Sequence, residues 1–176
     1  MSRGNIILIG FMGSGKTVVG RALSRQLNYD FFDTDEKIEE VTGLTIAQIF
    51  KKYGERRFRS EEELVIKKLA EKDGQVIATG GSLILDQHNL DILRKDGFFV
   101  LLKAEPEIIY QRLSRKNNRP QLGKKPTLEK VQEMIAAREA EYEKLADFSL
   151  NTSSFSVEEA ASRIGNSFRE YQGIEM

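Results

Sequence analysis

The chain contains no cysteine and a single histidine in 176 residues. Without thiols there is no disulfide framework and no thiolate metal site, which suits a reducing compartment. The lone His88, in "LDQHNLD", reads as a surface residue near a helix start. Net charge is missing too: 27 Lys and Arg balance 27 Asp and Glu. No overall field therefore draws the protein to nucleic acid or to an anionic membrane, and any charge-based function must be local. No apolar stretch approaches membrane-spanning length, and the first five residues run into a short apolar segment and not a signal-peptide core. A cytoplasmic protein without nucleic-acid or membrane partners is expected. Repeats and low-complexity segments are absent, so residues 1–176 read as one domain.

What is present is an alternation of short apolar runs with helical periodicity. The runs cover 6–9, 30–33, 76–79, 98–102 and, more weakly, 148–151. Val19, Ala22, Leu23 and Leu27 share one helical face, and Ile46, Ile49, Phe50 and Tyr53 repeat the pattern ahead of Gly54. Pro106 suits the first turn of a helix, and Ser156 with Glu159 reads as a capping box for a last helix carrying Val157, Ala160, Ala161, Ile164 and Phe168. Continuous apolar runs imply strands buried on both faces, hence an α/β fold with a five-stranded parallel sheet between helical layers. Ligands in such sheets sit beyond the carboxyl ends of the strands.

The stretch "GFMGSGKT", residues 10–17, follows the first run and precedes a helix, and it matches G-x-x-x-x-G-K-[ST] at Gly10, Gly15, Lys16 and Thr17. Gly13 and Gly15 let consecutive N–H groups turn inward, and the following helix adds its positive end, so polyphosphate is the natural guest. Lys16 would reach the β- and γ-phosphates, and the Thr17 hydroxyl would ligate magnesium. A nucleoside triphosphate with Mg²⁺ is the expected ligand pair.

Many activities share such a loop, and the rest of the chain narrows them. Neither an Asn-Lys-x-Asp nor an Asp-x-x-Gly segment is present, which argues against a GTPase switch, and the runs at 76–79 and 98–102 do not end in acids. The carboxylates come instead from "FFDTDEK", where Asp33 and Asp35 follow the second run. One reading makes them caps of the next helix; the other sets one near the metal and one near an attacking hydroxyl.

Cations offer three further candidates. In "GERRFRSEEE" most charges read as a solvated face, but Arg59 follows Phe58, which shares a face with Val65 and Leu69, and so lies at the rim of a cleft. Arg138 falls inside the apolar stripe of Val131, Met134, Ile135, Tyr142 and Leu145, where a guanidinium needs either a buried carboxylate or a bound anion. The basic, polar segment 114–126 is either a plain exposed loop or a lid that brings Arg119 onto a transferring phosphate.

Taken together, "GFMGSGKT", "DTD" at 33–35, "GERRFR" at 54–59, "TGG" at 79–81, "RP" at 119–120 and "AAREAEYEKLAD" at 136–147 resemble the shikimate kinase family of nucleoside-monophosphate-kinase-like P-loop proteins, over nearly the whole chain. The resemblance implies a P-loop kinase with a mobile lid that phosphorylates the 3-hydroxyl of shikimate from Mg·ATP in aromatic amino acid biosynthesis, and a monomer is expected. It implies a substrate-binding region at about 33–61, and Asp35, Arg59, Gly80, Gly81 and Arg138 for shikimate. For ATP it implies Gly13, Ser14, Gly15, Lys16, Thr17, Val18 and Arg119, with Arg112 beside the adenine. Thr17 and, through water, Asp33 are implied for Mg²⁺, and Lys16, Asp35 and Arg119 for catalysis. Two positions depart from the family pattern: Ser82 stands where Thr-Gly-Gly-Gly has its third glycine, and Gln121 where Arg-Pro-Leu-Leu has its first leucine. Alternatives are another small-polyol kinase, such as a gluconate kinase, and a nucleotide-binding regulator without turnover.

Overall fold

The computed structural model describes residues 4–115 and 127–173. Its strands are β1 (Asn5–Ile9), β2 (Asp30–Asp33), β3 (Gln75–Ala78), β4 (Gly97–Lys103) and β5 (Phe148–Asn151). Its helices are α1 (Lys16–Leu27), α2 (Thr34–Thr42), α3 (Ile46–Ala70), α4 (Gln87–Arg94), α5 (Pro106–Ser114), α6 (Leu128–Leu145) and α7 (Val157–Tyr171). The strands form one sheet in the order β2-β3-β1-β4-β5, every pairing parallel, with Ile7 level with Ile77 on one side and Phe99 on the other.

The apolar runs are continuous because alternate residues feed two separate cores. Ile7, Ile9, Ile77, Phe99 and Leu101 pack under α3 and α4 with Phe58, Ile66 and Leu90. Ile6, Leu8, Val76, Phe98, Val100 and Leu102 pack under α1 and α7 with Leu23, Ala161 and Ile164. Strand periodicity of two thus sends the apolar side chains of the central strands alternately into one core and the other. A third cluster of Phe11, Met12, Ile109, Leu113 and Val131 ties the phosphate loop to α5 and α6.

Local signals act as read. Pro106 opens α5, and Ser156 and Glu159 exchange the two bonds of a capping box at α7. Three expectations about burial are corrected. Tyr53 is half exposed and Val157 is exposed, not core. Tyr53 closes the first part of α3, which Gly54 interrupts at φ +79°, ψ 178°, so the helical face changes direction there. Glu61 and Glu62, assigned to a solvated charge run, are buried, because they share the inward face of Phe58, Val65 and Ile66.

Candidate active site

The phosphate loop joins β1 to α1, at the carboxyl edge of the central strand. Gly10, Gly13 and Gly15 all have positive φ, and a methyl at Gly10 would stand 2.3 Å from the Leu102 carbonyl, so the loop sits tightly on β4. Gly15 is the N-cap of α1 and offers no side-chain oxygen, and the first turn holds no acid. The leading N–H groups of α1 thus have no side-chain cap, the arrangement that suits an anion. Ser14 is fully buried and its N–H donates to the Phe11 carbonyl at 3.2 Å, shaping the loop from within. Lys16 Nζ rests on the Gly10 and Phe11 carbonyls at 2.6 and 3.0 Å, and Arg112, reaching from α5, donates to the Gly13 carbonyl at 2.7 Å. Val18 is exposed on the same helical turn.

The two aspartates separate at the end of β2. Asp33 is the N-cap of α2, its Oδ1 accepting from the N–H groups of Asp35 and Glu36, while its Oδ2 accepts from the Thr17 hydroxyl at 2.9 Å. The helix-cap reading therefore holds for Asp33 through Oδ1, while Oδ2 stands beside the Thr17 hydroxyl at the phosphate loop. Asp35 faces elsewhere: a methyl at Gly80 would lie 2.7 Å from its Oδ1.

The turn after β3 is where the remaining candidates meet. Gly80 abuts Asp35; the Gly81 carbonyl accepts from Arg138 Nη1 at 3.1 Å and from the Tyr142 hydroxyl at 3.2 Å; and the Ser82 hydroxyl accepts from Arg59 Nη1 at 3.1 Å. Three consecutive residues thus collect side chains from α2, α3 and α6. The two arginines differ in support. Arg59 is paired with Glu62 at 2.9 Å and with Glu55 at 3.3 Å. Arg138, half-buried, has no carboxylate partner among the described residues and donates instead to the Gly81 carbonyl, so the buried-carboxylate alternative finds no support there. Burial pushes the Glu62 carboxyl above its ordinary range, with Arg59 pulling it back; burial likewise raises Tyr142, opposed by Arg138.

A family model described as shikimate kinase matches residues 12–169. The chain belongs to the shikimate kinase family. It is 44% identical over 171 residues to the shikimate kinase of Pelotomaculum thermopropionicum, covering 97% of this chain and 99% of that one. It is 45% identical over 170 residues to that of Thermodesulfovibrio yellowstonii, covering 97% and 96%. Among solved structures, the shikimate kinase from Acinetobacter baumannii in complex with shikimate aligns with a TM-score of 0.87 at 34% identity, over 98% of this chain and 95% of the other. As a member of that family it is a phosphate-transferring enzyme, of α/β fold.

Of the residues singled out in the sequence, Gly13, Ser14, Gly15, Lys16, Thr17 and Arg112 line the loop, Asp33 stands beside Thr17, and Asp35, Arg59, Gly80, Gly81 and Arg138 gather at the turn after β3. Arg119 and most of the segment 114–126 lie outside the described residues. The sequence reading passed over Glu62, although its position four residues after Phe58 marks it as inward. It also took Tyr142 as plain core, when the hydroxyl braces the carbonyl that Arg138 uses.

Proposed function

We propose that this site transfers the γ-phosphoryl group of Mg·ATP directly to the 3-hydroxyl of shikimate, giving shikimate 3-phosphate and ADP. The observation that carries the reading is the convergence of Asp35, Arg138 and Arg59 on Gly80, Gly81 and Ser82, a short step from the phosphate loop through the Asp33–Thr17 hydrogen bond. Phosphoryl transfer leaves little covalent chemistry for the protein, so its task is positioning and charge stabilisation.

On the donor side, the uncapped start of α1 binds the phosphates and the Lys16 stem swings its ammonium from the Gly10 and Phe11 carbonyls onto them. Arg112 lies against the nucleotide beside the loop, and Arg119 meets the transferring phosphoryl. On the acceptor side, Arg59 and Arg138 hold the shikimate carboxylate and the Gly80–Gly81 backbone supports the ring. Asp35 orients the 3-hydroxyl and takes its proton as that oxygen bonds to phosphorus and the bridge to the β-phosphate breaks. Among the described residues no three His, Cys, Asp or Glu side chains gather, yet one carboxylate and one hydroxyl beside a phosphate site fit magnesium, which keeps waters and substrate oxygens for its other positions. Thr17 and Asp33 would hold it, and it would supply positive charge against the phosphate oxygens.

The test is product identification. Incubation with Mg·ATP and shikimate should give stoichiometric ADP and shikimate 3-phosphate by ³¹P NMR, with far less ADP from gluconate or from no acceptor. Equal ADP release in all three would overturn the acceptor assignment.

A further inference from the structure

We propose that Ser82 is a positioning residue that pre-sets Arg59 for the acceptor's carboxylate. The inference rests on the reading of Arg59 as part of the carboxylate clamp. Ser82 precedes the short 3-10 turn Leu83–Leu85 as its N-cap, a place where a serine hydroxyl ordinarily caps a backbone N–H. Here it makes no cap bond; its hydroxyl accepts from Arg59 Nη1 instead.

Position 82 also differs physically from its neighbour two residues before. Gly80 has no room for a side chain against Asp35, whereas Ser82 sits at φ −94°, ψ −7°, an ordinary right-handed conformation that any residue adopts. A side chain at 82 therefore adds no backbone strain, and the one present is directed at a site arginine.

The guanidinium chemistry gives the bond its consequence. Nη1 carries two hydrogens and has two strong acceptors, Glu62 Oε2 at 2.9 Å from its own helix and Ser82 Oγ at 3.1 Å from the substrate turn. Glu62 and Glu55 tie Arg59 to α3; Ser82, by its hydroxyl and more weakly by its carbonyl at 3.5 Å, ties it to the turn that also holds Gly80 and Gly81. Pinned at one nitrogen from two elements, the planar fork keeps a single orientation and presents Nε and Nη2 to an incoming carboxylate. Among the described residues the competitor for those donors is the exposed Glu55, at 3.3 Å from Nη2. Holding the fork before substrate arrives removes an ordering cost from binding, so the hydroxyl acts on shikimate affinity and not on the transfer step.

The experiment measures shikimate KM, ATP KM, kcat and Tm for Ser82→Ala, alone and combined with Arg59→Ala. Alone, it should raise shikimate KM about 5- to 10-fold, the scale of one ordinary hydrogen bond, because the Ser82 carbonyl at 3.5 Å still accepts from Nη1 and softens the loss, with kcat, ATP KM and Tm nearly unchanged. Combined with Arg59→Ala, the same replacement should change shikimate kcat/KM by less than about 2-fold, because its target is gone. Unchanged or lowered shikimate KM in Ser82→Ala, the same fold loss in both backgrounds, or a loss of kcat that tracks a fall in Tm would each overturn the proposal. If Arg59→Ala leaves shikimate kinetics intact, it is the clamp reading that fails, and the inference falls with it.

Discussion

Arg59 and Arg138 do the same proposed work on the substrate but different work on the protein, and truncating each to alanine separates the two. Arg59 is about a quarter exposed and its partner Glu62 is fully buried. Removing one member of a buried pair costs about 3–5 kcal/mol, and the partial exposure of Arg59 places it near about 3. For a chain of this size that corresponds to a Tm loss of roughly 6–12 °C. Arg138→Ala removes one hydrogen bond to the Gly81 carbonyl, which keeps its bond from Tyr142, so the cost is about 1 kcal/mol or less. Acidity sharpens the contrast. Burial holds the Glu62 carboxyl above its ordinary value of 4.5, so between that value and the raised one the folded state binds the extra proton and stability falls as pH rises. Loss of Arg59 removes the group that pulls Glu62 down and widens that window. The Tm deficit of Arg59→Ala should therefore grow from acid toward neutral pH, while that of Arg138→Ala stays small and flat. Both should weaken shikimate use by about 2–5 kcal/mol with ATP affinity preserved. Calorimetry across pH, beside steady-state kinetics, checks each part. Equal Tm losses, or a pH-independent deficit for Arg59→Ala, would refute the argument from Glu62.

Asp33→Asn keeps an effective helix cap and should raise the magnesium concentration needed for turnover with shikimate binding nearly intact, whereas Asp35→Asn should weaken shikimate binding and cut kcat by about 10²–10⁴-fold; magnesium titrations and shikimate kinetics on both variants distinguish these, and interchanged defects would reverse the two roles. Gly80→Ala should lower shikimate kcat/KM at little cost in Tm, because the new methyl displaces the Asp35 carboxylate, while Gly81→Ala, with 3.7 Å to its nearest neighbour, should be the milder variant in the same assay.

The strands were legible to within a residue at each end because a sheet buried on both faces demands unbroken apolar runs, and 6–9, 76–79 and 98–102 supply them. The phosphate loop was legible because its chemistry is local: glycine spacing, one lysine and one threonine act within eight residues. The turn after β3 was only partly so. Spacing put Arg138 on an apolar face, but that Arg138, Arg59 and Asp35 meet three successive residues depends on how α6, α3 and α2 cross the end of β3, which no single element encodes. Glu62 escaped notice because a run of charged residues masks an inward position until the packing partner is known.

The interruption of α3 at Gly54 divides the helix into a forward piece that caps the outer corner with α2 and a rear piece, bearing Arg59 and Glu62, that is bolted to the sheet by Phe58, Ile66 and Leu69. A backbone at φ +79°, ψ 178° is one that glycine alone adopts cheaply, yet a methyl built there meets nothing within 4 Å. The position is therefore intolerant for a reason invisible to any measure of crowding. In mechanical terms it is an elbow: one glycine sets the bend, and the Phe50 and Phe58 rings, 4.8 Å apart across it, hold the two arms together.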